Sequence, residues 1–326
     1  MKKNKRMRII LLTSITILLL LILALSLPYF LKTLPLKKIK SSDIPVEGDW
    51  VKLKRGNIYF RWYRASEEKE SKETMVMVHG FSTPSFVWGG LIDKITSNGI
   101  DLLVYDHFGR GWSERPVTAY NKELYVETLK ELIESQNITE KVHLVGYSMG
   151  GPIVGHFSEQ NPEMVKSMTF IAPAGFRVNA SGINNWTLFP VLGEWFWHVF
   201  SDRIYGVGKM SETSESDDPL SINEEEFLFN FNKQLAFKGF NESLLSTVRN
   251  FNLFDVKDMY SKLARKGMPC LAIWGTDDGV VPYSGSQELK KCMPECRLVT
   301  IEKGTHDITY RQPSEVGGAL IEFIKE

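Results

Sequence analysis

A serine attacks a carbonyl at neutral pH only when a base takes its proton and nearby donors hold the negative charge that the attack creates. One stretch of this chain, Val142 to Gly151, carries residue types suited to that chemistry: an apolar run ends in Gly146-Tyr147-Ser148-Met149-Gly150, and small residues lead onward. The Gly-x-Ser-x-Gly spacing fits a strand that turns sharply into a helix with Ser148 at its tip. Gly146 and Gly150 remove side chains that would collide with the neighbouring strand and helix, and the Met149 amide, at a helix N-terminus, is placed to donate to an oxyanion.

A base and an orienting acid must come from elsewhere. Of the six histidines, His306 follows the last expected strand in Glu302-Lys303-Gly304-Thr305-His306 and falls on a loop at the rim of the site. The others have simpler explanations: His79 and His107 lie in tight turns, and His143 opens a strand. His156 sits two turns into the helix after Ser148, facing away, and His198 belongs to an aromatic-rich stretch. The acid falls in Trp274 to Pro282, where Asp277 and Asp278 are adjacent, so the order along the chain is Ser, Asp, His. Two neighbouring aspartates diverge, and Asp277 is expected to stabilise the turn, since Asp-Gly sequences favour turns. A second oxyanion donor is the amide of Phe81, in the turn His79-Gly80-Phe81. Chemistry of this kind calls for no metal and no organic cofactor. The three cysteines, Cys270, Cys292 and Cys296, are too few for a disulfide framework and have no nearby histidine for a metal site. Cys292 and Cys296 are the pair that could bridge in an oxidising space, with free thiols the expected state.

These residues need a scaffold, and the hydrophobic pattern supplies one. Apolar runs at Ile58 to Tyr63, Met75 to Val78, Leu102 to Tyr105, Val142 to Val145, Met168 to Ala172, Cys270 to Trp274 and Leu298 to Ile301 read as strands. Helical patterns fall at Leu91 to Thr96, Lys122 to Ser135, after Ser148, near Ser286 to Lys291 and at Pro313 to Ile324. Such alternation predicts a mostly parallel sheet covered by helices on both faces, with the site at the carboxyl ends of the strands. The turn Asp106 to Ser113, with Gly109 and Gly111, follows one strand; it opens no helix and has no phosphate-loop lysine, so it is read as a structural turn that floors the site. With 43% hydrophobic and 24% charged residues the 326-residue chain is globular, and its 39 basic and 39 acidic residues give no basic face for nucleic acid.

The N-terminus is of a different kind. Lys2, Lys3, Lys5, Arg6 and Arg8 precede an uncharged run from Ile9 to Leu31, 23 residues, which as a helix reaches about 34 Å against a hydrocarbon core of roughly 30 Å. It reads as a membrane anchor; its apolar core exceeds that of a cleaved signal peptide, for which Ala24 and Ser26 would form a small-x-small site. Lys32, Lys37, Lys38 and Lys40 flank the other end. The slight excess of positive charge at the N-terminus predicts a cytoplasmic tail, with the bulk of the chain on the outer or lumenal side. Residues 32–49, broken by Pro35, Pro45 and the pair Ser41-Ser42, read as a tether.

From about Trp50 onward the chain resembles the α/β-hydrolase superfamily. His79-Gly80 matches the superfamily's oxyanion loop, Asp106-x-x-Gly109-x-Gly111-x-Ser113 its turn after the fourth strand, and Gly146 to Gly150 its nucleophile elbow. Gly275-x-x-Asp278-x-x-Val281-Pro282 matches the acid loop and Gly304-x-His306 the histidine loop. The resemblance implies catalytic Ser148, Asp278 and His306, with Phe81 and Met149 forming the oxyanion hole, and it selects Asp278 over Asp277. The membrane helix, the Ser-Met-Gly-Gly elbow and Ala172-Pro173-Ala174-Gly175 further resemble membrane-anchored monoacylglycerol lipases and bacterial esterases. That implies a serine hydrolase of esters with apolar acyl chains, acting on a lipid or small-molecule ester. Proline-type aminopeptidases and carbon-carbon bond hydrolases use the same parts, and a catalytically silent membrane-bound binding protein is the reading from another class. The organisation expected is an anchor at 1–31, a tether at 32–49 and a hydrolase domain at 50–326, with a cap inserted at about 177–266. The cap begins with a crowd of aromatics (Trp186, Phe189, Trp195, Phe196, Trp197, Phe200 and Tyr205), suited either to packing or to an acyl-chain or membrane-facing role. It continues through a polar, acidic excursion at Ser211 to Asp218, and a capping box at Ser221 to Glu224 restarts a helix.

Overall fold

Met75 to Val78 is buried on both sides, and its alternate residues enter two different apolar clusters: Val76 and Val78 pack with Leu144, Ile153 and Phe157, while Met75 and Met77 pack with Trp88, Val145 and Leu320. A continuous apolar run behaves this way only in a strand whose sheet is covered on both faces. The computed structural model of the chain describes residues 2–65, 73–176, 188–201 and 216–326. Its strands are β1 Asp49–Leu53, β2 Gly56–Tyr63, β3 Glu73–Val78, β4 Ile100–Tyr105, β5 Val142–Tyr147, β6 Val165–Ile171, β7 Cys270–Gly275 and β8 Arg297–Ile301. They form one sheet in the order β1-β2-β4-β3-β5-β6-β7-β8. The pairings of β1 with β2 and of β2 with β4 are antiparallel, and the rest are parallel.

Helices cover this sheet on both faces. On one lie α3 (Lys122–Ser135) and α4 (Gly150–Gln160); on the other lies α2 (Ile92–Thr96). The strand order reverses at β3, which sits between β4 and β5 although it precedes both. A crevice opens beyond the carboxyl ends of the strands at such a switch point.

At the N-terminus α1 runs from Lys2 to Thr33, and among the described residues it is the one helix long and apolar enough to cross a membrane. Between β6 and β7 come α5 (Leu192–Val199), α6 (Glu224–Leu235), α7 (Phe240–Asn250) and α8 (Lys257–Ala264); after β7 come α9 (Ser284–Cys292), α10 (Ile308–Arg311) and α11 (Pro313–Lys325).

Three local expectations change. The helix expected to restart from a capping box at Ser221 is capped two residues later: Asn223 is extended, and its side-chain oxygen accepts from the Glu226 amide at 2.9 Å. The segment read as a tether is pinned to the turn between α6 and α7. The Lys37 amide donates to Ala236 O (3.0 Å), the Lys238 amide donates to Lys37 O (2.9 Å), and Ile39 is buried. Among the cysteines, Cys296 faces Cys270 rather than Cys292, because β7 and β8 are neighbours in the sheet.

The expected crowd of aromatics is divided. Trp197 is buried and Phe189 is 60% exposed, while Phe200 stacks obliquely on Phe196 at 4.9 Å. Trp186, Tyr205 and the first part of the acidic excursion lie outside the described residues.

Candidate active site

The turn from β5 into α4 carries Ser148, whose φ of 52° lies in the left-handed region. A non-glycine residue there is strained, so the surroundings must hold it. They do so with backbone hydrogen bonds: the Ser148 amide donates to Ile171 O at 2.9 Å, and Ser148 O accepts from the amides of Gly151 and Ala174 at 3.0 Å each. Glycine is required on either side for want of room. A Cβ at Gly150 would lie 2.0 Å from Val78 O on β3, and one at Gly146 would lie 2.4 Å from Gly150 O.

The expected partners converge on this serine. Ser148 Oγ lies 3.0 Å from His306 Nε2, and His306 Nδ1 lies 2.8 Å from Asp278 Oδ2. The histidine is carried by the loop between β8 and α10, the acid by the loop after β7, and the serine by β5, all at carboxyl ends of strands. The Asp278 side chain is fully buried and that of His306 is 16% exposed, so the carboxylate is sheltered while the imidazole keeps an open edge. The other Asp278 oxygen, Oδ1, accepts from the amides of Val280 (2.8 Å) and Val281 (2.7 Å). Turn stabilisation, expected of Asp277, therefore falls to Asp278. Asp277 is exposed, and its carboxylate accepts from the hydroxyl of adjacent Thr276 at 3.0 Å.

The loop after β3 comes alongside. A Cβ on Gly80 would lie 3.3 Å from Ser148 Cβ, which sets the Gly80–Phe81 peptide beside the serine. The orientation of that peptide is fixed by a residue the sequence reading left as a turn former. His79 Nε2 accepts from the His107 amide at 2.9 Å, so the proton is on Nδ1, which donates to Gly80 O at 2.9 Å. A donor on that carbonyl polarises the same peptide unit whose N–H belongs to Phe81. His107 in turn donates from Nε2 to His79 O at 3.0 Å. Arg110, also buried, donates from Nε to Phe81 O (2.9 Å) and from Nη2 to Thr247 Oγ1 on α7 (2.8 Å), tying the loop to the helices above it. The turn around Gly109 and Gly111 is closed by Asp106, which accepts from the amides of Ser85 and Trp112 at 2.8 Å each.

Burial holds both turn histidines neutral: His107 is pushed down to about 3 and His79 well below the usual histidine range. An unfolded histidine protonates near 6.5. As pH falls below 6.5 the unfolded chain takes up protons that the folded chain refuses, so this stability is fully present above 6.5 and is lost toward pH 3. Each such histidine contributes a slope of about 1.4 kcal/mol per pH unit within the window. Urea midpoints are expected to fall between pH 7 and pH 5, and to fall less in His107→Asn; an equal fall in both proteins would contradict this account.

A parallel, helix-covered sheet with a strained serine turn, a histidine loop and an acid loop at its carboxyl edge defines an α/β-hydrolase. The family model described as serine aminopeptidase, S33 (Hydrolase_4) matches residues 69–312, and the chain belongs to that family of hydrolases. It is similar to a monoacylglycerol lipase, abhd6-B, of Xenopus laevis, with 24% identity over 82% of this chain and 80% of the relative. Lipase 3 of a Moraxella species is 22% identical over 74% of each chain. Among solved structures, a membrane phospholipase A described as a bacterial virulence factor superposes with a TM-score of 0.66 at 19% identity, covering 100% of this chain and 98% of its own.

Proposed function

We propose that this chain is a membrane-anchored serine hydrolase that cleaves carboxylic esters of apolar acyl chains, in the manner of a monoacylglycerol lipase or carboxylesterase. The observation that carries the proposal is the run of contacts from Ser148 Oγ to His306 Nε2 (3.0 Å) and from His306 Nδ1 to Asp278 Oδ2 (2.8 Å) on a strained turn. In this reading Ser148 Oγ attacks the ester carbonyl while His306 Nε2 takes its proton, and Asp278 stabilises the imidazolium that results. The amides of Phe81 and Met149 hold the oxyanion. His306 returns the proton to the leaving alcohol, and water, deprotonated by His306, releases the acid from the acyl-enzyme. The chemistry runs on these side chains and amides without a cofactor.

The apolar-ester reading is supported by the lipases among the relatives and by the exposed apolar side chains of Phe189, Val191 and Leu192 around the start of α5. The family's description names aminopeptidases, and the same residues could cleave an amide. Comparing hydrolysis of p-nitrophenyl esters of two to twelve carbons, a monoacylglycerol and a prolyl-peptide amide tests the choice. We expect turnover of the esters and the monoacylglycerol, rising with chain length, and none of the amide; the reverse preference would assign the chain to the peptidases.

We further propose that α1 is retained as an anchor, with the hydrolase on the outer or lumenal side. A signal peptidase cutting after Ser26 would remove Leu25, whose carbonyl accepts from Trp195 Nε1 of α5 at 2.6 Å. A helix turn later, Tyr29 packs edge-on against His198 of α5 at 5.3 Å. The C-terminal end of α1 is thus in contact with α5. Full-length protein is expected to stay in membranes washed with alkaline carbonate and to keep residues preceding Leu27; a mature N-terminus at Leu27 would make this a secreted enzyme.

A further inference from the structure

At the end of the sheet away from the site lies a pair of sulfurs that the proposed reaction does not use. β7 and β8 run parallel with Leu271 opposite Arg297 and Ala272 opposite Leu298, so one step back along both strands sets Cys270 opposite Cys296. Neighbouring strands lie about 4.8 Å apart, within the Cα separation of about 4.4–6.8 Å that a disulfide spans. The side chains also point toward each other: Cys270 Sγ and Cys296 Sγ are 2.7 Å apart, and both residues are buried. The remaining cysteine, Cys292, closes α9 and is partly exposed.

We propose that Cys270 and Cys296 form a disulfide that staples β7 to β8, with Cys292 left as a thiol. The two thiols lose two protons and two electrons as the S–S bond forms, and a disulfide oxidant, by exchange, is reduced to two thiols. Burial raises the Cys270 thiol well above the usual range and opposes the thiolate that exchange requires. The exchange therefore takes place while the chain is folding, before β8 closes the edge of the sheet. The closed loop contains Asp278, and the stapled strands lead at their far ends to Asp278 and His306. A cross-link of this kind acts mainly by restricting the unfolded chain, so its effect falls on stability and not on turnover. Its formation in the cell rests on the outer or lumenal location proposed above.

Two samples separate the pairing from the location. Full-length protein is taken from cells quenched in acid, alkylated under denaturing conditions without reductant, and mapped by peptide mass. Purified full-length protein in detergent is treated with diamide in mild urea and mapped in the same way. The expected result is a Cys270–Cys296 cross-linked peptide in both, with alkylation of Cys292 alone. Cys270→Ala, Cys296→Ala and the double variant should each lower Tm by the same amount, roughly 5–10 °C, with kcat at 25 °C within twofold of wild type. A cross-link seen only after diamide supports the pairing and overturns the outer location. A cross-link involving Cys292, or three alkylated cysteines after diamide, overturns the pairing.

Discussion

Ser148→Ala is expected to lower ester turnover by roughly 10⁶, the scale seen when a serine hydrolase loses its nucleophile, while leaving the fold intact. The structural cost is small. The left-handed φ of 52° at this position is imposed by three backbone hydrogen bonds, and alanine carries the same Cβ as serine, so the substitution adds no strain. The lost hydroxyl leaves His306 Nε2 without its protein partner at 3.0 Å, but the ring is 16% exposed and water can replace it. The variant should therefore melt within a degree or two of wild type and lose labelling by a fluorophosphonate probe along with turnover. A correctly folded Ser148→Ala that still hydrolysed esters at the wild-type rate would place the nucleophile elsewhere.

Asp278→Asn is expected to cost about 10⁴ in turnover, by analogy with the serine-protease triad, and the geometry gives a specific reason. Oδ1 of Asp278 accepts from the amides of Val280 and Val281 at 2.8 and 2.7 Å. An asparagine must keep its carbonyl oxygen on those two donors, since its NH2 group cannot accept. The NH2 group then faces His306 Nδ1, now 2.8 Å from Oδ2, and a donor there forces the ring proton onto Nε2. A histidine protonated at Nε2 cannot take the proton of Ser148. Asp277→Asn, at an exposed residue whose carboxylate meets the Thr276 hydroxyl, should change kcat by less than threefold. Measuring kcat for both variants on one ester decides the matter; the opposite ranking would move the acid by one residue.

The strands were legible because a parallel sheet covered on both faces demands uninterrupted apolar runs, and Met75 to Val78 and Val142 to Val145 are such runs. β1 was not legible: Asp49–Leu53 pairs antiparallel at the sheet edge, and only Leu53 at its end is buried, which leaves no apolar run to read. The serine turn was legible because it needs glycine at two fixed positions, and the close approaches to Val78 O and Gly150 O are the steric reason. The capping residue of α6 was misplaced because Ser221 and Asn223 can both cap, and the hydrogen bond from Ile222 N to Tyr310 O fixes where the chain enters the helix.

By itself the sequence determined which residue types could carry the proposed chemistry and the order in which they occur, because local sterics and hydrophobic periodicity act over a few residues and leave a readable pattern. Contacts between residues far apart in the chain were decided by the tertiary structure alone. The stacking order of the strands brings His306 to Ser148 across 158 residues of sequence. It sets Cys296 beside Cys270 instead of Cys292, and makes the pair His79 and His107 a clamp on the Gly80–Phe81 peptide. None of these has a periodicity or a composition, since each depends on which strands become neighbours, and that is settled by how the whole sheet buries its two faces.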